Sequence, residues 1–375
     1  MIQKRYILIL LLQFLLVQLS FSQKIVDENA TFETKALFKN LKRIQDNNQI
    51  LVGQHDATLY GHTWSGDEGR SDMKDVCGSH PAVISFDYAL ITNERALKTN
   101  NQSEFLLRRM IETYNRGAVV TMCWHSDNPL NGETAWVDTT KIIENTVKEL
   151  LPGGKAHKVY KKKLQQIAAM AKMTIGDDGK LVPIIFRPFH EMEGSWFWWG
   201  RPYRTPNEFK ALWQFTVEYL RDKLKVHNFL YAYSSDCKFS TAEQYLIDYP
   251  GDEYVDILGM DNYWDFRPDG ANDPILAGKK IKIISDLASK KGKLAAMTET
   301  GLESIPDSTW FTQKLLPVLQ YEGSKLAYIA LWRNDNKMAQ HFYGSFPGHS
   351  SVSDFLKFYQ NDYTLFEKDL KGIYK

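Results

Sequence analysis

The chain has 375 residues, 43% of them apolar, and a formal charge of +1 from 46 basic and 45 acidic side chains. That length admits one large domain or two average ones with a sizeable core. The balanced charge, mixed along the chain, argues against a nucleic-acid or charged-membrane partner. Aromatic residues reach 13%, with 10 Trp, and flat indole faces suit sugar rings.

At the N-terminus, Lys4 and Arg5 precede an apolar stretch from Tyr6 to Leu19, and Ser20-Phe21-Ser22 offers small residues before a cut at Gln23. This is the plan of a signal peptide over residues 1–22. The apolar run is short for a membrane span, and no cysteine follows it for a lipid anchor. The expectation is an exported protein, periplasmic or secreted, with no membrane anchor after removal of the signal segment. Residues 23–375 then form one domain, expected to be monomeric. The three cysteines, Cys77, Cys123 and Cys237, are too few for a disulfide scaffold and form no Cys-x-x-Cys zinc motif.

Eight apolar runs follow as strand candidates: Ile50–His55, Ala82–Tyr88, Ala118–His125, Val182–Glu191, Phe229–Ser234, Val255–Tyr263, Leu294–Thr300 and Leu326–Trp332. Between them, apolar residues at three and four spacing predict helices over Glu104–Asn115, Tyr160–Met173, Asn207–Leu224, Ile275–Lys290 and Trp310–Gln320, with a last one near Val352–Gln360. Thr205-Pro206 starts the third, with the hydroxyl as N-cap and proline at the first helical position. Eight such units, about 39 residues apart, predict a single (β/α)8 barrel. A doubly wound sheet would open on a glycine-rich turn, whereas the first strand ends Gly53-Gln54-His55-Asp56.

The strand ends are polar in phase: His55 and Asp56, Asp87, His125, His190 and Glu191, Asp236, Asp261 and Tyr263, Glu299, and Trp332 with Arg333. Polar groups at barrel tops need a reason, and the C-terminal face is where barrel enzymes do chemistry. Glu191 and Glu299, ending the fourth and seventh strands, are placed to converge across the mouth. Glycosidic cleavage needs one carboxylic acid for the leaving oxygen and a second carboxylate to attack or to activate water. Glu193, two residues on, faces the same side of an extended strand and is a rival acid. His190 points the other way unless the strand end twists. His55, His62, His125 and His190 are candidate metal ligands of a barrel amidohydrolase, but the paired His-x-His of the first strand is missing. No metal and no cofactor is expected. Trp196, Trp198 and Trp199 read as packing between loop and barrel, with at least one a sugar platform if the strand-end reading holds; Glu133 and Glu303 read as solvated loop charges, and Lys161-Lys162-Lys163 as a solvated helix face.

Arg187-Pro188-Phe189-His190-Glu191-Met192 and Ser195-Trp196-Phe197-Trp198-Trp199-Gly200 resemble the corresponding segments of glycoside hydrolase family 26, the β-mannanases. Cys123-Trp124-His125 with Asn128-Pro129, Asp261-Asn262-Tyr263-Trp264, the Glu299 strand and Leu331-Trp332-Arg333 follow in that family's order. The resemblance runs from about Val52 to Arg333. It implies a retaining hydrolase of β-1,4-mannosidic bonds in mannan, glucomannan or galactomannan, with Glu191 as acid/base and Glu299 as nucleophile. It also implies that His190, Trp196, Tyr263 and Trp332 surround the sugar at the cleaved bond. His125 and Trp136 border that sugar, and Asp261 and Arg333 border it or the next. Tyr263 is placed to donate to Glu299 and keep it ionised. Some members of the family act on mixed-linkage glucan or β-1,3-xylan. A sugar-binding barrel without turnover is the alternative from another class.

Overall fold

The apolar runs are strands of one closed barrel. The structure, a computed structural model, describes residues 25–98 and 101–375; the expected signal segment, residues 1–22, lies outside the described residues. The barrel strands are β1 (Ile50–His55), β2 (Val83–Asp87), β3 (Val119–Cys123), β4 (Ile184–Arg187), β5 (Phe229–Asp236), β6 (Ile257–Asn262), β7 (Leu294–Thr300) and β8 (Tyr328–Leu331). Each pairs in parallel with its neighbours in chain order, and β8 closes on β1 through Leu51↔Tyr328 and Val52↔Ile329. Every residue of β1, β3, β4, β5, β6, β7 and β8 is buried. Strands covered on both faces carry continuous apolar runs instead of alternation, which is why these eight could be read directly.

Around the strands lie α1 (Phe32–Asp46), α2 (Gln102–Asn115), α3 (His157–Met173), α4 (Pro206–Glu218), α5 (Pro274–Lys291) and, after β8, α6 (Val352–Tyr359). Thr205 caps α4 with a complete capping box, its hydroxyl accepting the Glu208 N–H while Glu208 accepts the Thr205 N–H at 2.7 Å. The predicted helix over Asn207–Leu224 leaves α geometry after Glu218 and ends as a π-turn over Tyr219–Lys223. The segment predicted over Trp310–Gln320 also opens as a π-turn, Phe311–Leu315. There Pro317 has no N–H for the carbonyl four residues back, so the ladder cannot run through in α register. Helix α1 was not anticipated: it precedes the first strand, is capped by Thr31, and buries Leu37, Leu41 and Ile44. It closes the lower end of the barrel, where Gln45 Oε1 accepts the Ala295 N–H at 3.0 Å.

Gly53 sits where β1 is squeezed between β2 and β8. A Cβ there would lie 2.8 Å from the Ile329 carbonyl oxygen and 2.8 Å from Val83. Only glycine lets the closing strands approach this far.

Candidate active site

Two backbone irregularities aim the two glutamates. The fourth strand was expected to run to Glu191, but it ends at Arg187. Pro188 has no N–H to continue the ladder, and Phe189 (φ 52°) and Glu191 (φ 53°) then adopt left-handed conformations. Such residues persist only where surrounding contacts over-determine them. Phe189 is buried among Trp124, Trp198, Trp199 and Trp213, the Trp199 indole N–H donates to the His190 carbonyl at 2.8 Å, and the Glu191 N–H donates to the Ser234 carbonyl at 2.9 Å. Strand alternation is therefore lost. His190 and Glu191 both line the cleft, whereas Glu193 does not and has one carboxyl oxygen buried without a partner.

On β7 the register slips by one residue. Met260 faces Met297 but Asp261 faces Glu299, and on the other side Ile329 faces Met297 while Leu331 faces Thr300. Thr298 is thus the extra residue of a β-bulge, a device that re-aims side chains beside active sites. It lets Thr298 and Glu299 both face inward: the Thr298 hydroxyl donates to Asp261 Oδ1 at 2.7 Å, and Glu299 enters the cleft.

The cleft, about 790 Å³, opens at the C-terminal ends of the strands. Of the residues singled out in the sequence, Glu191, Glu299, His125, Trp136, His190, Tyr263, Trp332 and Arg333 line it. Trp196 and Asp261 do not. Trp196, half-buried beside Glu191, donates its indole N–H to Glu191 Oε2 at 2.6 Å. Asp261 was expected to border a sugar; instead it is wholly buried and accepts from Arg187 (2.7 Å), Ser234 (2.8 Å) and Thr298. It faces inward one strand from Glu299, but its oxygens are spent on donors within the barrel.

Carboxyl oxygens of Glu191, Asp261 and Glu299 lie within 4.8 Å of one another. Their environments differ. Glu299 is 3% exposed; Oε1 meets the Arg187 guanidinium and lies 3.5 Å from His55 Nε2, and Oε2 accepts the Tyr263 hydroxyl at 2.9 Å, as expected from the sequence. Burial opposes its charge, but the Arg187 cation outweighs it and holds Glu299 below the ordinary carboxyl range. Glu191 has no such cation: burial, then the charges of Asp261, Asp236 and Glu299, push it well above that range. Burial also raises Asp261, to about 7, against the pull of Arg187.

Opposite the glutamates, Asp87 Oδ2 accepts from His125 Nδ1 at 2.8 Å, and the Nε2 atoms of His125 and His190 are 3.1 Å apart. Burial drives His55 down to about 3 and His190 well below its ordinary value; His125 is raised, because Asp87 outweighs its burial. Neutral His55 and His190 beside a charged His125–Asp87 pair make a polar wall under the Trp332 ring, whose centroid is 4.5 Å from that of His55. At the far rim, Arg333 pairs with Asp335 and reaches the Tyr60 hydroxyl at 3.5 Å. Trp136 is 58% exposed and leans on Phe197, with ring centroids 4.7 Å apart.

Among the described residues, three donor groups have the spacing for a metal: His55, Cys123 and Glu299; Asp87, Cys123 and His125; and Glu191, Asp261 and Glu299. The first and third contain Glu299, whose Oε1 already faces the fixed positive charge of Arg187. In the second, the Asp87 and His125 atoms bond each other. His62 is elsewhere, stacked on Phe346 at 3.7 Å. Arg187 is the functional residue that residue-type reasoning passed over. Its signal was a lone charge closing an otherwise apolar run.

The sequence profile described as glycosyl hydrolase family 26 matches residues 26–339. A mannan endo-1,4-beta-mannosidase of Bifidobacterium adolescentis is 36% identical over 358 residues, covering 90% of this chain. The chain spans 35% of that relative's length, and 45% of the length of a mannan endo-1,4-beta-mannosidase A and B of Caldalkalibacillus mannanilyticus at 27% identity over 63% of this chain. Among solved structures, GH26C of Muricauda sp. superposes with a TM-score of 0.88 at 37% identity, covering 96% of this chain and 99% of that one. A GH26 beta-mannanase of Bacteroides ovatus gives 0.84 at 38% identity, covering 92% and 98%. With its closed barrel and nearly the whole described chain matched, the protein belongs to glycosyl hydrolase family 26.

Proposed function

We propose that the protein is a retaining β-mannanase that hydrolyses β-1,4-mannosidic bonds in mannan, glucomannan or galactomannan. The observation that carries this reading is the close pair of unlike carboxyls: oxygens of Glu191 and Glu299 within 4.8 Å, one raised and one lowered. Retaining enzymes hold their two carboxyl groups about 5–5.5 Å apart, and inverting ones about 6.5–9.5 Å, to admit a water. Two carboxyls whose surroundings push their proton affinities apart divide the acid and nucleophile roles between them.

Glu191 gives its proton to the glycosidic oxygen as an oxygen of Glu299 bonds to the anomeric carbon and the bond to the leaving sugar breaks. Glu191, now ionised, takes a proton from water. The water oxygen then attacks the same carbon and frees Glu299, so configuration is retained. Tyr263 and Arg187 steady the Glu299 charge, and Trp196 orients Glu191. His125, His190, Trp332, Trp136 and Arg333 contact the polysaccharide along the cleft. The mannanase relatives support mannan as the backbone. We also propose export as a monomer after removal of residues 1–22; the check is an N-terminus at Gln23 in the protein recovered outside the cytoplasm.

Reducing-sugar release from mannan and glucomannan by the wild type, Glu191→Ala and Glu299→Ala tests the assignment. Loss of the acid should cost roughly 10²–10⁴-fold, and loss of the nucleophile at least as much. Equal release by all three would leave only a sugar-binding barrel.

A further inference from the structure

The tips of β5, β6 and β7 carry acids in lateral register, Asp236 beside Asp261 and Asp261 beside Glu299. Parallel neighbours in register send their side chains to the same face, so Asp236 faces inward as Asp261 and Glu299 do. It is 8% exposed and forms no part of the cleft lining. The loop after β4 is pinned to the same strand by the Glu191 N–H on the Ser234 carbonyl, two residues before Asp236. The cations of this region are engaged elsewhere: Arg187 with Asp261 and Glu299, Arg201 and Arg204 with Asp248, Lys280 with Asp265. Lys238 is exposed and its Nζ lies 4.4 Å over the Trp196 ring.

We propose that Asp236 is a positioning residue for the acid/base, an unpaired negative charge beside Glu191 that keeps the proton on it until the glycosidic oxygen takes it. This rests on the hydrolase reading above. Of the carboxyls Glu191, Asp236, Asp261 and Glu299, it is Asp261 and Glu299 that pair with the buried Arg187, and Glu191 is bonded instead by the Trp196 indole N–H. The groups facing Glu191 are Asp236 from β5, Asp261 and Tyr263 from β6, Glu299 from β7, and Trp196 from its own loop. Those facing Asp236 are Glu193, Cys237, Lys238 and, from α5, Lys280. After burial and Asp261, Asp236 is the next influence raising Glu191. Burial and then the same Asp236 charge push Glu193 up to about 8. Asp236 itself is raised by burial but restrained by the Cys237 N–H and by Lys238. The Cys237 N–H and Lys238 thus favour the ionised form of Asp236, the form that would hold the proton on Glu191.

The test is the pH dependence of kcat/KM on mannohexaose for the wild type, Asp236→Asn, Asp236→Glu and Lys238→Gln. A like charge beside a carboxyl raises it, so Asp236→Asn should bring the alkaline limb down by about one pH unit and cost about tenfold above it. Asp236→Glu should restore the limb. Lys238→Gln, at an exposed position, should move it the opposite way. On a dinitrophenyl β-mannobioside, whose leaving group needs no proton, the loss at high pH should vanish. An unmoved limb in Asp236→Asn, or the same high-pH loss on the dinitrophenyl substrate, overturns the proposal. If Asp236→Asn does not fold, a Lys238→Gln limb that stays put or moves down overturns it as well. Turnover by the wild type is read in the same series: its absence sinks the hydrolase reading too, whereas an active wild type with unmoved limbs sinks this proposal alone.

Discussion

Replacing Arg187 with methionine removes the one cation that serves both Asp261 and Glu299. The three side chains are 1%, 0% and 3% exposed, so neither carboxylate can turn to water when its partner is gone. Removing one member of a buried pair costs about 3–5 kcal/mol, and here one substitution takes the cation from two buried carboxyls, which keep only their hydroxyl donors. Against the roughly 5–15 kcal/mol of a folded domain, the variant should fold with little margin. The loss should depend on pH. In the wild type, the folded value of Glu299 lies below its ordinary 4.5, so its contribution is full above pH 4.5 and is lost as pH falls through the folded value. Without Arg187, burial is left in control and the folded value rises above 4.5. The variant is then penalised most at neutral pH, and the penalty fades as acid protonates the carboxyl. Urea midpoints at neutral pH and below pH 4.5 should show a wide gap from the wild type that narrows in acid, with the m-value unchanged. A gap under about 1 kcal/mol at neutral pH, or one independent of pH, would refute the charge argument. Arg187→Lys, which keeps the charge but cannot fork to two carboxylates, should fall between.

Two further outcomes follow from the same geometry. The kcat/KM profile of the wild type on mannan should be a bell, rising through a limb below pH 4.5 as Glu299 ionises and falling well above pH 4.5 as Glu191 loses its proton; a rising limb above pH 4.5 would contradict the Arg187 assignment. Gly53→Ala should lower stability by about 1–3 kcal/mol, read as a drop in melting temperature, because its Cβ meets strand backbone at 2.8 Å that cannot rotate away; an unchanged melting temperature would mean that the strands can part.

Much of this molecule is local in origin and could be read along the chain. Buried parallel strands leave continuous apolar runs, so β1 and β7 were placed to the residue, at Ile50–His55 and Leu294–Thr300, and the Thr205 cap follows from a short motif. Polar strand ends in phase brought Glu191 and Glu299 to one mouth, because topology alone puts strands four and seven across a barrel from each other. What tertiary structure decided is where each side chain points once a strand has ended. The left-handed turns at Phe189 and Glu191 break the alternation that made Glu193 look equivalent; the rings of Trp124, Trp198-Trp199 and Trp213 hold the first, and the Ser234 carbonyl holds the second. The bulge at Thr298 exists only against its two neighbouring strands. Asp261 and Trp196, expected at the sugar, lie outside the cleft lining and bond Arg187 and Glu191, and Arg187 sets the charge of Glu299. Depth and charge are properties of packed neighbours far apart in the chain, and a strand pattern carries no record of them.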